Sequence, residues 1–327
     1  MRWTPGSSPY SDAAAMDERN ATSSRAADAA EAVARSPADA GSAGQPTSQR
    51  RTCAFFLGDI MMRKTLARTA IAAAALLWMI PAAEAQTATA PSTTARIVLV
   101  HGAFADGSGW RGLYDVLTAR GYRVSIVQNP LTSLKEDVDA TTRVIERQDG
   151  PVILVGHSWG GTVITAAGVH PKVKALVYIS ALAPDAGETT AQQYEGFPPA
   201  SEFVIDKQSD GYGFIDLQRF KAGFAADTND ADAAFLRDSQ VPINMSVFGT
   251  RLTQAAWRTR PSWAVIAKQD KAFGAGMLMH MAKRIGAKIT EVPGSHAVFM
   301  TQPKAIARVI DSAAQDIGSA PSVAKVR

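Results

Sequence analysis

From residue 96 onward, short apolar and β-branched runs alternate with longer stretches whose apolar positions recur every three or four residues, a rhythm that predicts parallel βαβ units. The runs Arg96 to Val100, Tyr122 to Val127, Val152 to Val155, Ala175 to Ile179, Ser262 to Ala267 and Lys288 to Val292 read as strands, most of them apolar enough to be buried. Helices are predicted between them at about 110–120, 135–148, 159–169, 274–285 and 303–316. The expectation is one α/β domain with a mostly parallel sheet of about six strands flanked by helices. Residues 184–260 break the rhythm. They hold Pro184, Pro198, Pro199, Pro242 and Gly-flanked aromatics, and read as an inserted irregular or helical cap. No internal repeat is visible.

Ahead of this domain the pattern changes character. Arg63, Lys64 and Arg68 precede an apolar run from Ala70 to Ile80, and Ala83-Glu84-Ala85 follows. A basic start, a short apolar stretch and a small-x-small site predict a secretory signal peptide over 61–85, with Gln86 as the mature N-terminus. The run is short for a bilayer span, so no membrane anchor is expected after cleavage. Residues 1–60, rich in Ala, Ser, Asp and Arg and lacking apolar periodicity, are expected to be a disordered or mis-assigned extension, with Met61 or Met62 as the true start. The competing reading is a genuine extension followed by a buried helix or an anchor. Residues 86–95 form a Thr/Ala/Pro-rich linker, and 96–327 the globular domain. A periplasmic or secreted location follows as an expectation. The only cysteine, Cys53, lies upstream of the cleavage site, so the mature chain would carry no thiol and no cysteine chemistry.

Charge adds little. The 34 basic and 30 acidic residues are mixed, with a net charge of +4 and no block of five like charges, which gives no case for nucleic acid as a partner.

The candidate chemistry begins where the strand Val152 to Val155 runs into Gly156-His157-Ser158-Trp159-Gly160-Gly161, followed by the helical stretch Thr162 to Val169. In a strand–turn–helix context, G-x-S-x-G is a nucleophile turn: glycines flank the serine because the turn is sharp and neighbouring backbone comes too close for side chains. A phosphate loop fits less well, since neither a Walker lysine nor G-x-G-x-x-G is present. The first strand ends in His101-Gly102-Ala103-Phe104, where an oxyanion hole is expected. Two fixed backbone N–H groups there would stabilise the charge that acyl transfer builds on a carbonyl oxygen. Trp159, at a helix N-terminus, and Ala103 are the candidate donors. Phe104 is expected to flank the pocket, and His101 to hold its loop rather than act as base.

A base for Ser158 must follow the last strand, and only His296, in Pro293-Gly294-Ser295-His296-Ala297, meets that order. His280 falls within a helix, His170 precedes a proline, and His157 adjoins the nucleophile and is expected to point elsewhere. A neutral imidazole can take the serine proton if a carboxylate holds its other nitrogen. Asp270, at the carboxyl end of a strand, is the candidate. Asp185, in Ala183-Pro184-Asp185, is the rival, with a turn or cap role as its other reading. No His/Asp/Glu cluster has the spacing of a zinc or calcium site, and the chemistry needs no cofactor.

These elements in this order resemble the α/β-hydrolase family over residues 95–315. Within it, HGAFADGSGW, GHSWGG and SALAPDAGE look like bacterial esterase-like members related to plant methylesterases and hydroxynitrile lyases. The resemblance implies the α/β-hydrolase fold, here without its usual first two strands. Hydroxynitrile lyases of this branch place a lysine directly after the catalytic histidine, whereas this chain has Ala297, which disfavours cyanohydrin cleavage. The HGGG run of several lipase groups is also missing. The expected activity is therefore serine-dependent cleavage of a small to medium carboxylic ester through an acyl-enzyme. A cofactor-free lyase, a perhydrolase or haloperoxidase-like enzyme, and a hydrolase-fold ligand receptor are the alternatives. Cap aromatics such as Tyr194, Phe197, Phe220, Phe224 and Phe248 could line the substrate pocket or form cap core.

Overall fold

The structure, a computed structural model, describes residues 94–319. The predicted signal segment, the extension before it and most of the linker lie outside those residues. Six strands form one parallel sheet: β1 (Arg96–Val100), β2 (Arg123–Val127), β3 (Val152–Ser158), β4 (Val173–Ala181), β8 (Ser262–Ala267) and β9 (Lys288–Val292), in the order β2-β1-β3-β4-β8-β9. β1 and β3 are buried along their whole lengths, as expected for strands covered on both faces. The edge strands β2 and β9 turn Arg123, Lys288 and Glu291 outward, which blunts edge-to-edge association.

Helices α1 (Arg111–Ala119) and α8 (Pro303–Asp316) pack together, as do α2 (Leu134–Glu146) and α3 (Trp159–Ala167), while α6 (Ala275–Arg284) joins β8 to β9. Right-handed crossovers then place a helical layer on each face of the sheet. Because the chain runs from β1 to β2 and returns past β1 to β3, strand order reverses between β1 and β3. Ligand crevices of open α/β sheets form at the carboxyl ends of such a pair.

β3 is longer than the run that predicts it. Pairing with β4 continues through Ser158↔Ala181, so Gly156, His157 and Ser158 are strand residues despite their composition. The cap also differs from expectation. It holds a three-stranded antiparallel sheet of β5 (Ile205–Lys207), β6 (Tyr212–Ile215) and β7 (Ile243–Asn244), together with α4 (Phe220–Gly223) and α5 (Asp230–Asp238). Strands of two to four residues are too short for alternation to announce them. A last single turn, α7 (Val298–Thr301), leads into α8. Among the described residues no helix is long and apolar enough to cross a membrane.

Candidate active site

Ser158 sits where β3 passes into α3 with no intervening residue, at φ 53° and ψ −121°. A non-glycine residue held there stores on the order of 1–3 kcal/mol of strain, which the surrounding packing must offset. The packing is tight enough to do so. A Cβ on Gly160 would lie 2.5 Å from the Val100 carbonyl oxygen, and one on Gly102 would lie 2.8 Å from the Ser158 Cβ. The loop after β1 is thus pressed directly against the serine.

His101 secures that loop. Its Nε2 accepts from the Asn129 N–H (2.8 Å), so Nδ1 carries the proton and donates to the Gly102 carbonyl (2.9 Å), while the Asn129 amide donates to the His101 carbonyl (3.0 Å). Burial holds the ring's pKa below its ordinary value, which keeps it neutral. Ala103 and Phe104 follow, both lining the cavity above Ser158, with Phe104 in the left-handed region at φ 61°.

Trp159 opens α3, where a first-turn N–H has no partner within the helix. Its indole is fully buried and donates to the Asp137 carboxylate (2.7 Å). The other Asp137 oxygen accepts from the Leu131 N–H (2.8 Å). Burial pushes the Asp137 carboxyl up to about 6, against these two hydrogen bonds that favour its charged form. The folded protein therefore keeps a proton that the unfolded chain releases near 3.8. Stability from this group is full below that value and lost as pH rises through about 6. Relative to Asp137→Asn, the wild type is expected to lose up to about 3 kcal/mol of unfolding free energy between pH 4 and pH 7. Urea titrations of both proteins at the two pH values check this, and a difference that does not change with pH would refute it.

Asp270 and His296 meet across two loops. The Asp270 carboxylate accepts from the Ala272 and Phe273 N–H groups (2.8 and 2.9 Å) on one oxygen and from His296 Nδ1 (2.7 Å) on the other. Both side chains are fully buried, and His296 Nε2 has no hydrogen-bond partner among the described residues. Phe273 and Phe224 stand edge-on to the imidazole at 4.8 and 5.1 Å between centroids. His157, expected to point elsewhere, lies against the same ring at 4.6 Å, and its Nε2–H donates to the His296 carbonyl (2.9 Å). Burial, and then the neighbouring His296, hold His157 well below the ordinary imidazole value, so it serves as a neutral donor.

The cap grips the same loop. The Ala297 N–H donates to the Phe224 carbonyl (2.9 Å), and Asp227 accepts from the hydroxyls of Ser295 and, at 2.7 Å, Thr301. Asp185 is placed elsewhere, paired with the exposed guanidinium of Arg258.

A cavity of about 760 Å³ opens on Ser158, Trp159, Ala103 and Phe104. Of the cap aromatics singled out in the sequence, Tyr194, Phe197 and Phe248 line it, whereas Phe220 and Phe224 are buried core. Phe203 and Phe273 line it as well and were not anticipated. Asp137 is the other residue that motif reasoning misses, although its place between Leu134 and Thr141 on the buried stripe of α2 is a signal: an acid on a core-facing position requires partners. Among the described residues no group of three or more His, Cys, Asp or Glu side chains could hold a metal ion.

The chain belongs to the alpha/beta hydrolase family, whose model matches residues 97–309. Among similar proteins, the pyrethroid hydrolase of Sphingobium wenxiniae is 27% identical over 263 residues, covering 70% of this chain and 90% of that one. The carbendazim hydrolyzing esterase of a Nocardioides species is 35% identical over 109 residues, 29% of this chain and 45% of that one. The solved pyrethroid hydrolase from Sphingobium faniae superposes with a TM-score of 0.58 at 23% identity, over 70% of this chain and 98% of that one, a likeness of fold. This is a hydrolase with esterase-type relatives.

Proposed function

We propose that this protein is a serine hydrolase that cleaves a small to medium, uncharged carboxylic ester through an acyl-enzyme. The observation that carries the reading is the His296 imidazole, fixed through Nδ1 by Asp270 and left with Nε2 as its one unpartnered basic atom, in a fold whose strained turn presents Ser158 to the cavity. Ser158 Oγ attacks the ester carbonyl as His296 takes its proton. The oxyanion is met by the Trp159 and Ala103 N–H groups, and the alkoxide leaves with the proton from His296. Water then repeats the sequence on the acyl-enzyme. The cavity walls are largely apolar and rich in aromatic rings, and among the described residues that line them Glu195 is the one carboxylate and no Lys, Arg or His is present, which favours neutral esters over anionic ones. The names of the relatives, a pyrethroid hydrolase and a carbendazim hydrolyzing esterase, agree with ester substrates. The pattern of residues 61–85 supports export to the periplasm or beyond, with a mature chain starting at Gln86.

Intact-mass analysis before and after incubation with a fluorophosphonate tests both halves. The expected result is a mass beginning at Gln86 and a single adduct that disappears in Ser158→Ala. An adduct that persists in that variant would remove Ser158 as nucleophile, and retention of residues 61–85 would remove the export reading.

A further inference from the structure

Asp137 is an acid with no basic partner among the described residues, fully buried on α2, whose two oxygens are divided between two donors. One donor is the indole of Trp159, the residue that follows Ser158. The other is the N–H of Leu131, a residue held in the left-handed region at φ 58°. The chain of bonds continues outward, because the Leu131 carbonyl accepts from the Asn244 N–H at 2.9 Å, and Asn244 ends β7 of the cap. Four residues on, Phe248 stands edge-on to the Trp159 ring at 5.4 Å and lines the cavity. Trp159 is thus fixed from below by a carboxylate and from above by the cap.

The functional part of Trp159 in the proposed mechanism is its backbone N–H, which no side-chain change removes. What a side chain can do is set where that N–H points. Rotation of α3's first residue is blocked as long as the indole stays bonded to Asp137, and a donor displaced by a fraction of an ångström serves an oxyanion poorly. We infer that Asp137 is a positioning residue for the oxyanion hole: through the Trp159 indole it fixes the backbone donor beside Ser158, and through Leu131 it ties that donor to the cap. The inference rests on the serine-hydrolase reading. Asparagine is the informative replacement, since its amide has one accepting oxygen for two donors and turns an N–H toward the other.

The test compares wild type, Asp137→Asn, Trp159→Phe and the double variant at pH 8, measuring kcat, KM and the rate of fluorophosphonate labelling at Ser158. Each single variant is expected to lose about 10- to 100-fold in kcat and labelling rate with KM changed less than about threefold. The double variant should be no worse than the poorer single one by more than about threefold, because both changes cut the same bond. Wild-type kcat in a folded Asp137→Asn protein, or losses that simply multiply in the double variant, would make Asp137 a structural residue and overturn the inference. A wild type that neither turns over an ester nor takes the adduct would overturn the serine-hydrolase reading and this inference with it.

Discussion

Ser158→Ala is expected to lower kcat on a responsive ester by about 10⁶-fold, with the protein still folded. The side chain is small and nearly buried, alanine keeps the Cβ that meets Gly102, and the positive φ strains either residue equally. The loss should therefore fall on chemistry alone. It should not be total, because the proposed oxyanion donors and the cavity would still bind and polarise the ester. Steady-state kinetics beside a thermal melt makes the comparison. A loss under tenfold at unchanged melting temperature would show that water, not the serine, attacks the substrate.

For Asp270→Asn, a loss of about 10⁴-fold in kcat is expected, by an argument about protons rather than charge. One Asp270 oxygen is committed to two backbone N–H groups, those of Ala272 and Phe273. Asparagine would keep its oxygen there, which turns its NH₂ toward His296 Nδ1. The imidazole must then accept at Nδ1 and carry its proton on Nε2, where it cannot receive one from serine. Asp185→Asn is the matched control. It loosens an ion pair with exposed Arg258 and should leave kcat within about twofold, because such pairs contribute little. If the two variants exchanged their effects, the assignment of the acid would be reversed.

The sheet was legible in the sequence because its strands are nearly continuous apolar runs bounded by turns, as in β1 and β8, whose ends fall where the pattern places them. The sharp turn at Ser158 was legible for a different reason: a Cβ on Gly156 or Gly160 would lie 2.5 Å from a neighbouring backbone oxygen, so only glycine fits at either position. What could not be read depends on long-range pairing. Nothing local tells His157 to donate to a carbonyl 139 residues later, or Asp137 to accept from an indole on the next helix. The cap sheet escaped because its three strands are held by a register that no periodicity encodes over so few residues. Phe203 and Phe273 escaped because an aromatic residue has the same character in a core and in a pocket wall.

The grip of Phe224 and Asp227 on the loop around His296 divides the cap into two parts with different freedom to change. The segment from Glu195 to Ala200 furnishes walls and, among the described residues, has no ring contact with His296, unlike Phe203 at 6.1 Å, so substitutions there can reshape the cavity for a different ester without disturbing the imidazole. Residues 224–227 are framework for the proposed base, since Phe224 and Asp227 hold the loop on either side of His296, although they lie in the insertion rather than in the sheet. A lineage adapting to new substrates, or an engineer exchanging caps between relatives, has the first segment to vary and must carry the second along intact.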